Sequence, residues 1–187
     1  GRVFNVNLAA LRINSTIVAP GEEFSFNDAV GDISRLSGYQ SAYIISGGKT
    51  VLGDGGGVCQ VSTTVFRAVL NAGLPITERK AHAYRVGYYE QDSKPGIDAT
   101  VFNPTADLKF VNDTGNHILI QTKVDTKNLN MEVKIYGTND GRVATISEPK
   151  ISSQTPPPAT LYVDDPTLPL GQMKQIDWSA WGAKVSF

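Results

Sequence analysis

The run Gly53-Asp54-Gly55-Gly56-Gly57 leads directly into a segment with helical periodicity, and this junction constrains the chain more than any other feature. Val61, Val65, Val69 and Leu70 recur at helical intervals between Val58 and Ala72, and Gly73 and Pro75 then stop the pattern. A glycine loop feeding a helix is a place where unpaired backbone N–H groups and the helix dipole favour negative charge. Cys59, the chain's single cysteine, falls in the first turn. A thiol at that position is expected to have a depressed pKa.

Composition removes several classes. With 187 residues, 41% apolar and 19% charged, the chain is expected to bury one main core with a small appendage. Seventeen Lys and Arg against eighteen Asp and Glu leave a net charge of -1, too little positive field for a nucleic acid partner. One cysteine excludes an internal disulfide and a thiolate-rich zinc site. No apolar run is long enough for a membrane helix, and residues 1–20 lack the zones of a signal peptide, so membrane attachment is expected only through a segment outside these residues. Gly48-Lys49-Thr50 has Tyr43 where a phosphate loop needs its first glycine, and Gly53-Asp54-Gly55 has Val58 where a dinucleotide fingerprint needs its third. No nucleotide is expected.

Around the junction, the spacing of Val6, Ala9, Ala10 and Ile13 predicts a helix within Phe4 to Ile13, before the turn Ala19-Pro20-Gly21. Glu22 to Asn27 alternates like a half-buried strand, and Tyr39 to Val51 predicts a strand and turn. Further strands are expected at Ala83 to Tyr89, Ala99 to Phe102, Leu108 to Val111, His117 to Val124 and Leu129 to Tyr136. The fold class is therefore α+β, a mostly antiparallel sheet with a glycine-led helix carrying the cysteine and a short C-terminal β tail. Residues 1–150 form the main domain in this reading, 151–160 a proline-rich connector without packed secondary structure, and 161–187 a hairpin tail.

A thiol nucleophile needs a base, and the chain has two histidines, His82 and His117. His82 opens a run that follows the helix, whereas His117 reads as an ordinary strand residue. Asp98, at the start of the next predicted strand, is placed to orient an imidazole, or only to close a turn after Gly96. The order Cys59, His82, Asp98, with the cysteine on a helix and the others on successive strands, resembles papain-like and transglutaminase-like thiol enzymes. Gly55, Gly56 and Gly57 would allow close backbone approach to a substrate, and their N–H groups with those of Cys59 and Gln60 would hold an oxyanion. Tyr84, Arg85 and Tyr88 complete the candidate substrate contacts, with Tyr84, Tyr88 and Tyr89 serving equally well as core or as groove lining. The competing reading makes Cys59 a small buried apolar residue.

These residues also carry a family resemblance. Asn5-Val6-Asn7-Leu8-Ala9-Ala10, Pro20-Gly21-Glu22-Glu23-Phe24-Ser25-Phe26-Asn27, Ser37-Gly38-Tyr39, Gly55-Gly56-Gly57-Val58-Cys59-Gln60-Val61-Ser62-Thr63-Thr64, Glu78-Arg79 with His82, and Asp98-Ala99-Thr100-Val101 resemble the VanW domain of wall-associated proteins in Gram-positive bacteria. The likeness covers roughly residues 4–137, and Leu168-Pro169-Leu170-Gly171 with Gly182 resembles the segment that often follows such a domain. The resemblance implies an extracytoplasmic, wall-associated monomer acting on peptidoglycan stem peptides. It further implies a cysteine L,D-transpeptidase with Cys59 as nucleophile, His82 as base and then acid, and no metal or organic cofactor. A thiol peptidase or amidase, and a non-catalytic wall-binding module, are the alternatives.

Overall fold

A computed structural model describes residues 1–46, 48–83 and 85–187 of the chain. The first helix, α1, spans Arg2–Ile13 and buries Asn5, Val6, Ala9, Ala10 and Ile13, the stripe that its apolar spacing predicts. Strand β1 (Thr16–Val18) follows, then β2 (Glu23–Ser25) and the single-turn helix α2 (Phe26–Val30). The Ser25 hydroxyl accepts the Asp28 N–H at the start of α2, so the alternating run read as one strand is split after three residues by a helix cap. Phe24 and Phe26 are both buried nonetheless.

The hairpin β3 (Ser41–Ser46) and β4 (Lys49–Asp54) delivers the chain to the glycine turn, and α3 runs from Val58–Asn71. Helix α3 buries Val58, Val61, Ser62, Thr63, Val65, Phe66 and Val69. Next come β5 (Ile76–Glu78), β6 (Lys109–Val111), β7 (Ile118–Asp125) and β8 (Asn130–Tyr136). Two three-stranded antiparallel sheets result, in the orders β1-β7-β8 and β2-β6-β5. Along β7 the buried Ile118 and Ile120 alternate with more exposed residues, giving the sheet one face for α1 and α3.

The core gathers from both sheets and both long helices, with Phe26, Phe110, Ile13, Leu108 and Ile120 among its largest fully buried side chains. Burial of each such side chain is worth roughly 1.5–3 kcal/mol relative to exposure. The α+β, mostly antiparallel architecture thus matches the sequence expectation.

Two local expectations fail. Of the strand expected over Ala83 to Tyr89, Tyr84 lies outside the described residues and the others form no strand: Ala83 is in a bend, and a 3₁₀ turn spans Gly87–Glu90. The His82 N–H, which a strand would give to a ladder partner, goes instead to the Asp98 carboxylate at 3.0 Å. Ala99 to Phe102 makes only the isolated bridges Lys80 to Thr100 and Phe102 to Ala106. Cysteine, histidine and aspartate therefore do not sit on a helix followed by successive strands. The third difference lies in the tail, where β9 (Lys150–Thr155) overlaps the first half of the segment read as a connector and pairs antiparallel with β10 (Gly182–Ser186).

Candidate functional site

Cys59 is the second residue of α3, and Gly57 at the cap adopts a φ of 115°, a left-handed conformation that favours glycine. A side chain on Gly55 would meet Ile33 Cγ2 at 2.2 Å, and one on Gly56 would meet the Tyr43 carbonyl at 2.6 Å. At Gly57 it would meet the Arg2 carbonyl and Val6 Cγ2, both at 3.0 Å. The glycines thus let the turn press against Ile33, β3 and α1, and Gly55 and Gly56 are buried. Buried Asn5 fastens the turn from below: its amide donates to Gln40 O at 2.8 Å and Gly56 O at 3.0 Å, and its Oδ1 accepts the Gln40 N–H at 2.8 Å.

His82 and Asp98 come to the same place. His82 Nδ1 lies 2.5 Å from Asp98 Oδ2, and the imidazole side chain is only 5% exposed. With Nδ1 held, the other ring nitrogen is the one that can hydrogen-bond the Cys59 thiol. The half-buried sulfur also lies 3.6 Å from Thr100 Oγ1 and 3.6 Å from the Val101 carbonyl.

Electrostatics couple the three groups. Burial pushes the Cys59 thiol up, but the hydrogen bond and charge of His82, with the contacts to Val101 and Thr100, bring it below its ordinary value. Burial pulls the imidazole down, yet hydrogen bonds to Asp98 and Cys59 and their charges raise it to about 9. Burial likewise pushes Asp98 up, and His82 with the Arg79 charge holds it below the usual carboxylate range. The coupling therefore shifts the thiol towards thiolate and the imidazole towards imidazolium, each beyond what the isolated group would show. Such a set can deliver a nucleophile and then donate a proton.

Several residues that position this trio carried no role in the sequence reading. Ser62 Oγ donates to the Ala99 carbonyl at 2.7 Å, and Thr63 Oγ1 accepts the Ala99 N–H at 3.1 Å, pinning the Asp98 segment to α3. Arg67 donates to Ile97 O at 3.1 Å and to Tyr89 O at 2.6 Å, tying both loops to the same helix. Arg79 donates to the Asp98 carbonyl at 2.7 Å and pairs with its carboxylate at 3.3 Å. Tyr89, expected as core or groove lining, has its ring centre 5.2 Å from that of His82 and shields it from one side. Ser62 and Thr63 offered a signal: they are polar residues on the stripe that Val58 and Val65 bury.

The remaining predicted residues are dispersed. The Gln60 N–H donates to the Gly57 carbonyl at 3.0 Å and is not open to an oxyanion, whereas the Cys59 N–H has no acceptor among the described residues. Arg85 pairs through two nitrogens with Glu90, at 2.5 and 2.6 Å. Tyr88 is exposed and packs edge-on against Tyr89, with ring centres 4.7 Å apart. Tyr84 lies outside the described residues. His117 is exposed ahead of β7, in a turn with no part in this cluster.

A cavity of about 510 Å³ opens on the other side of His82 and Asp98, walled also by Arg79, Arg85, Tyr89 and Lys94. Its outer wall is the β9–β10 hairpin, through Ser153, Thr155 and Gly182 to Val185. A side chain on Gly96 would meet Val185 Cβ at 3.0 Å, so hairpin and loop touch closely. Among the described residues, no helix is long and apolar enough to cross a membrane.

Comparison with known proteins finds that residues 1–135 match the family model described as VanW like protein. An uncharacterized protein of Bacillus subtilis, YoaR, is 45% identical over 122 residues, which is 65% of this chain and 39% of that one. The vancomycin B-type resistance protein VanW of Enterococcus faecalis is 35% identical over 114 residues, 60% of this chain and 42% of that one. The matched stretches thus amount to about two fifths of the length of these relatives. No solved structure matches the chain.

Proposed function

The chain belongs to the VanW-like family, and on that premise we propose that it is a cysteine-dependent L,D-transpeptidase that joins peptidoglycan stem peptides outside the cytoplasm. The observation that carries the proposal is the imidazole of His82, held through Nδ1 by the Asp98 carboxylate and lying near enough to Cys59 for the two side chains to shift one another's titration. The relative named for vancomycin resistance supports a cell-wall setting.

In this mechanism the Cys59 thiolate attacks the carbonyl carbon of the third stem residue, and the carbonyl oxygen becomes an oxyanion near the Cys59 N–H at the start of α3. The tetrahedral adduct collapses by breaking its C–N bond, and the imidazolium of His82 gives its proton to the departing D-alanine nitrogen. A thioester remains. An amine of a second stem then loses a proton to His82 and attacks the thioester carbonyl, which forms the new amide and returns the thiolate. Asp98 holds the imidazole in orientation and stabilises its charged form throughout.

Incubation with tetrapeptide stems is expected to give an acyl-enzyme whose mass reports loss of D-alanine, followed by a crosslinked dimer. Replacing Cys59 with Ala should abolish both, and crosslinking at the wild-type rate by that variant would refute the mechanism. If water rather than an amine resolves the thioester, the product is a tripeptide and the protein is a thiol hydrolase. A wall-binding module without catalysis requires an inert thiol, and the lowered thiol pKa speaks against it.

A further inference from the structure

We infer that Arg2 and Tyr88 form the carboxylate-binding end of the substrate groove, so that the acyl donor is a peptide whose scissile amide is followed directly by a free terminal carboxylate. This rests on the thiol reading above and assigns the residues that would recognise the donor's terminal carboxylate.

The chain has seven arginines, and five of them have an acidic partner: Arg35 with Asp54, Arg67 with Asp92, Arg79 with Asp98, Arg85 with Glu90, and Arg142 with Asp113 and Asp140. Arg12 has none among the described residues but commits its donors to the carbonyls of Val30, Asp32 and Ser37. Arg2 differs from both groups. Among the described residues no carboxylate pairs with it, and its guanidinium donates only to the Tyr43 carbonyl at 3.1 Å and the Tyr88 hydroxyl at 3.2 Å. A guanidinium has five N–H donors in a planar fork that matches a carboxylate, so most of its capacity is open.

Its location gives that capacity a purpose. Arg2 Cγ lies 3.1 Å from where a Gly57 side chain would begin, beside the turn that leads into Cys59. The guanidinium carbon sits 5.5 Å from the centre of the Tyr88 ring, Tyr88 packs on Tyr89, and Tyr89 packs on His82. Arg2, the two tyrosines and the imidazole thus form a continuous wall. The Tyr89 hydroxyl senses both the Cys59 charge and the opposing Arg2 charge, so both groups lie near one phenol. A terminal carboxylate held by Arg2 leaves the preceding carbonyl on the thiol side of the wall.

Alkylation of Cys59 tests this without any peptide. Iodoacetate and iodoacetamide both form a carbon–sulfur bond with loss of iodide, and they differ only in carboxylate against carboxamide. In Arg2→Gln the rate with iodoacetate should fall relative to iodoacetamide by roughly three- to thirtyfold, the range expected for loss of one charge several ångströms away, while Arg2→Lys should keep most of the preference. A tetrapeptide ending in a carboxylate should also shield wild-type Cys59 from iodoacetamide more strongly than its carboxamide. An unchanged reagent ratio in a folded Arg2→Gln, or equal shielding by the two peptides, overturns the inference while leaving the thiol reading intact. A Cys59 that reacts with neither reagent overturns both.

Discussion

At the scale of single residues, the charge states of the trio make definite demands on pH. Because the thiol sits below its ordinary value, the rate of iodoacetamide addition to Cys59 should stay high well below the pH at which a free cysteine loses reactivity. Replacing His82 with Ala removes the group that lowers it, and the rate profile should then move to higher pH. The Asp98–His82 pair has its own signature in stability. His82 is raised from 6.5 to about 9, so its contribution is complete below the unfolded value and disappears as pH rises through the folded one. Asp98 is lowered, so on the acid side the pair persists until that carboxyl protonates below 3.8. In a Cys59→Ala background, where the thiolate no longer helps to hold the imidazolium, stability should drop by roughly 1–3 kcal/mol between pH 6.5 and 9, and adding Asp98→Asn should flatten that drop. Urea unfolding at the two pH values measures it. The trio was legible in the sequence because it needs only three residue types, a single cysteine and one histidine following its helix. Arg79 was not legible, since its role depends on a loop whose path no periodicity encodes, whereas Tyr89, read as core or groove lining, is buried against His82.

Elements explain the glycine turn. Its three glycines pack closely on Ile33, β3 and α1 respectively, and Gly56 faces backbone that cannot yield. Gly56→Ala should therefore destabilise the protein by about 1–3 kcal/mol, as overpacking of a tight site does, and lower the reactivity of Cys59 by shifting the start of α3. Asn5→Ala strips the part-buried Gln40 N–H and the buried Gly56 carbonyl of their partner and should cost roughly 1–3 kcal/mol in denaturant titration. A variant melting like wild type would contradict the role given to Asn5. Helices α1 and α3 and strands β6, β7 and β8 were readable from periodicity because each buries one regular face. The strand expected over Ala83 to Tyr89 was misread for a physical reason: its alternating pattern suits a strand, but the Tyr89 N–H goes back to the Val86 carbonyl and the Tyr89 carbonyl to Arg67, not to a neighbouring strand.

The whole molecule divides unequally. Every residue of the hydrophobic core, and every apolar residue packed against it, lies at or before Ile135. Removing the chain after Ser147 should therefore leave the melting temperature within about 3 °C of wild type, because little apolar burial is lost. The same truncation opens the wall of the cavity beside His82, and the KM for stem peptides should rise several-fold with kcat less affected. A collapse of the fold instead would show that the tail carries stability. The tail was hard to place from sequence since Ser and Thr next to a proline run read as linker, while the partner of β9 lies beyond a long intervening loop.

The geometry of that tail has a mechanical meaning. Lys150 pairs with Ser186, so the last residues of β10 lie beside the point where β9 leaves the body. Tension applied to the chain beyond Phe187 therefore loads the ladder one rung at a time, the weakest direction in which two strands can be pulled apart. A protein tethered by that end under load would unzip its hairpin and bare the flank of His82 while its core still held.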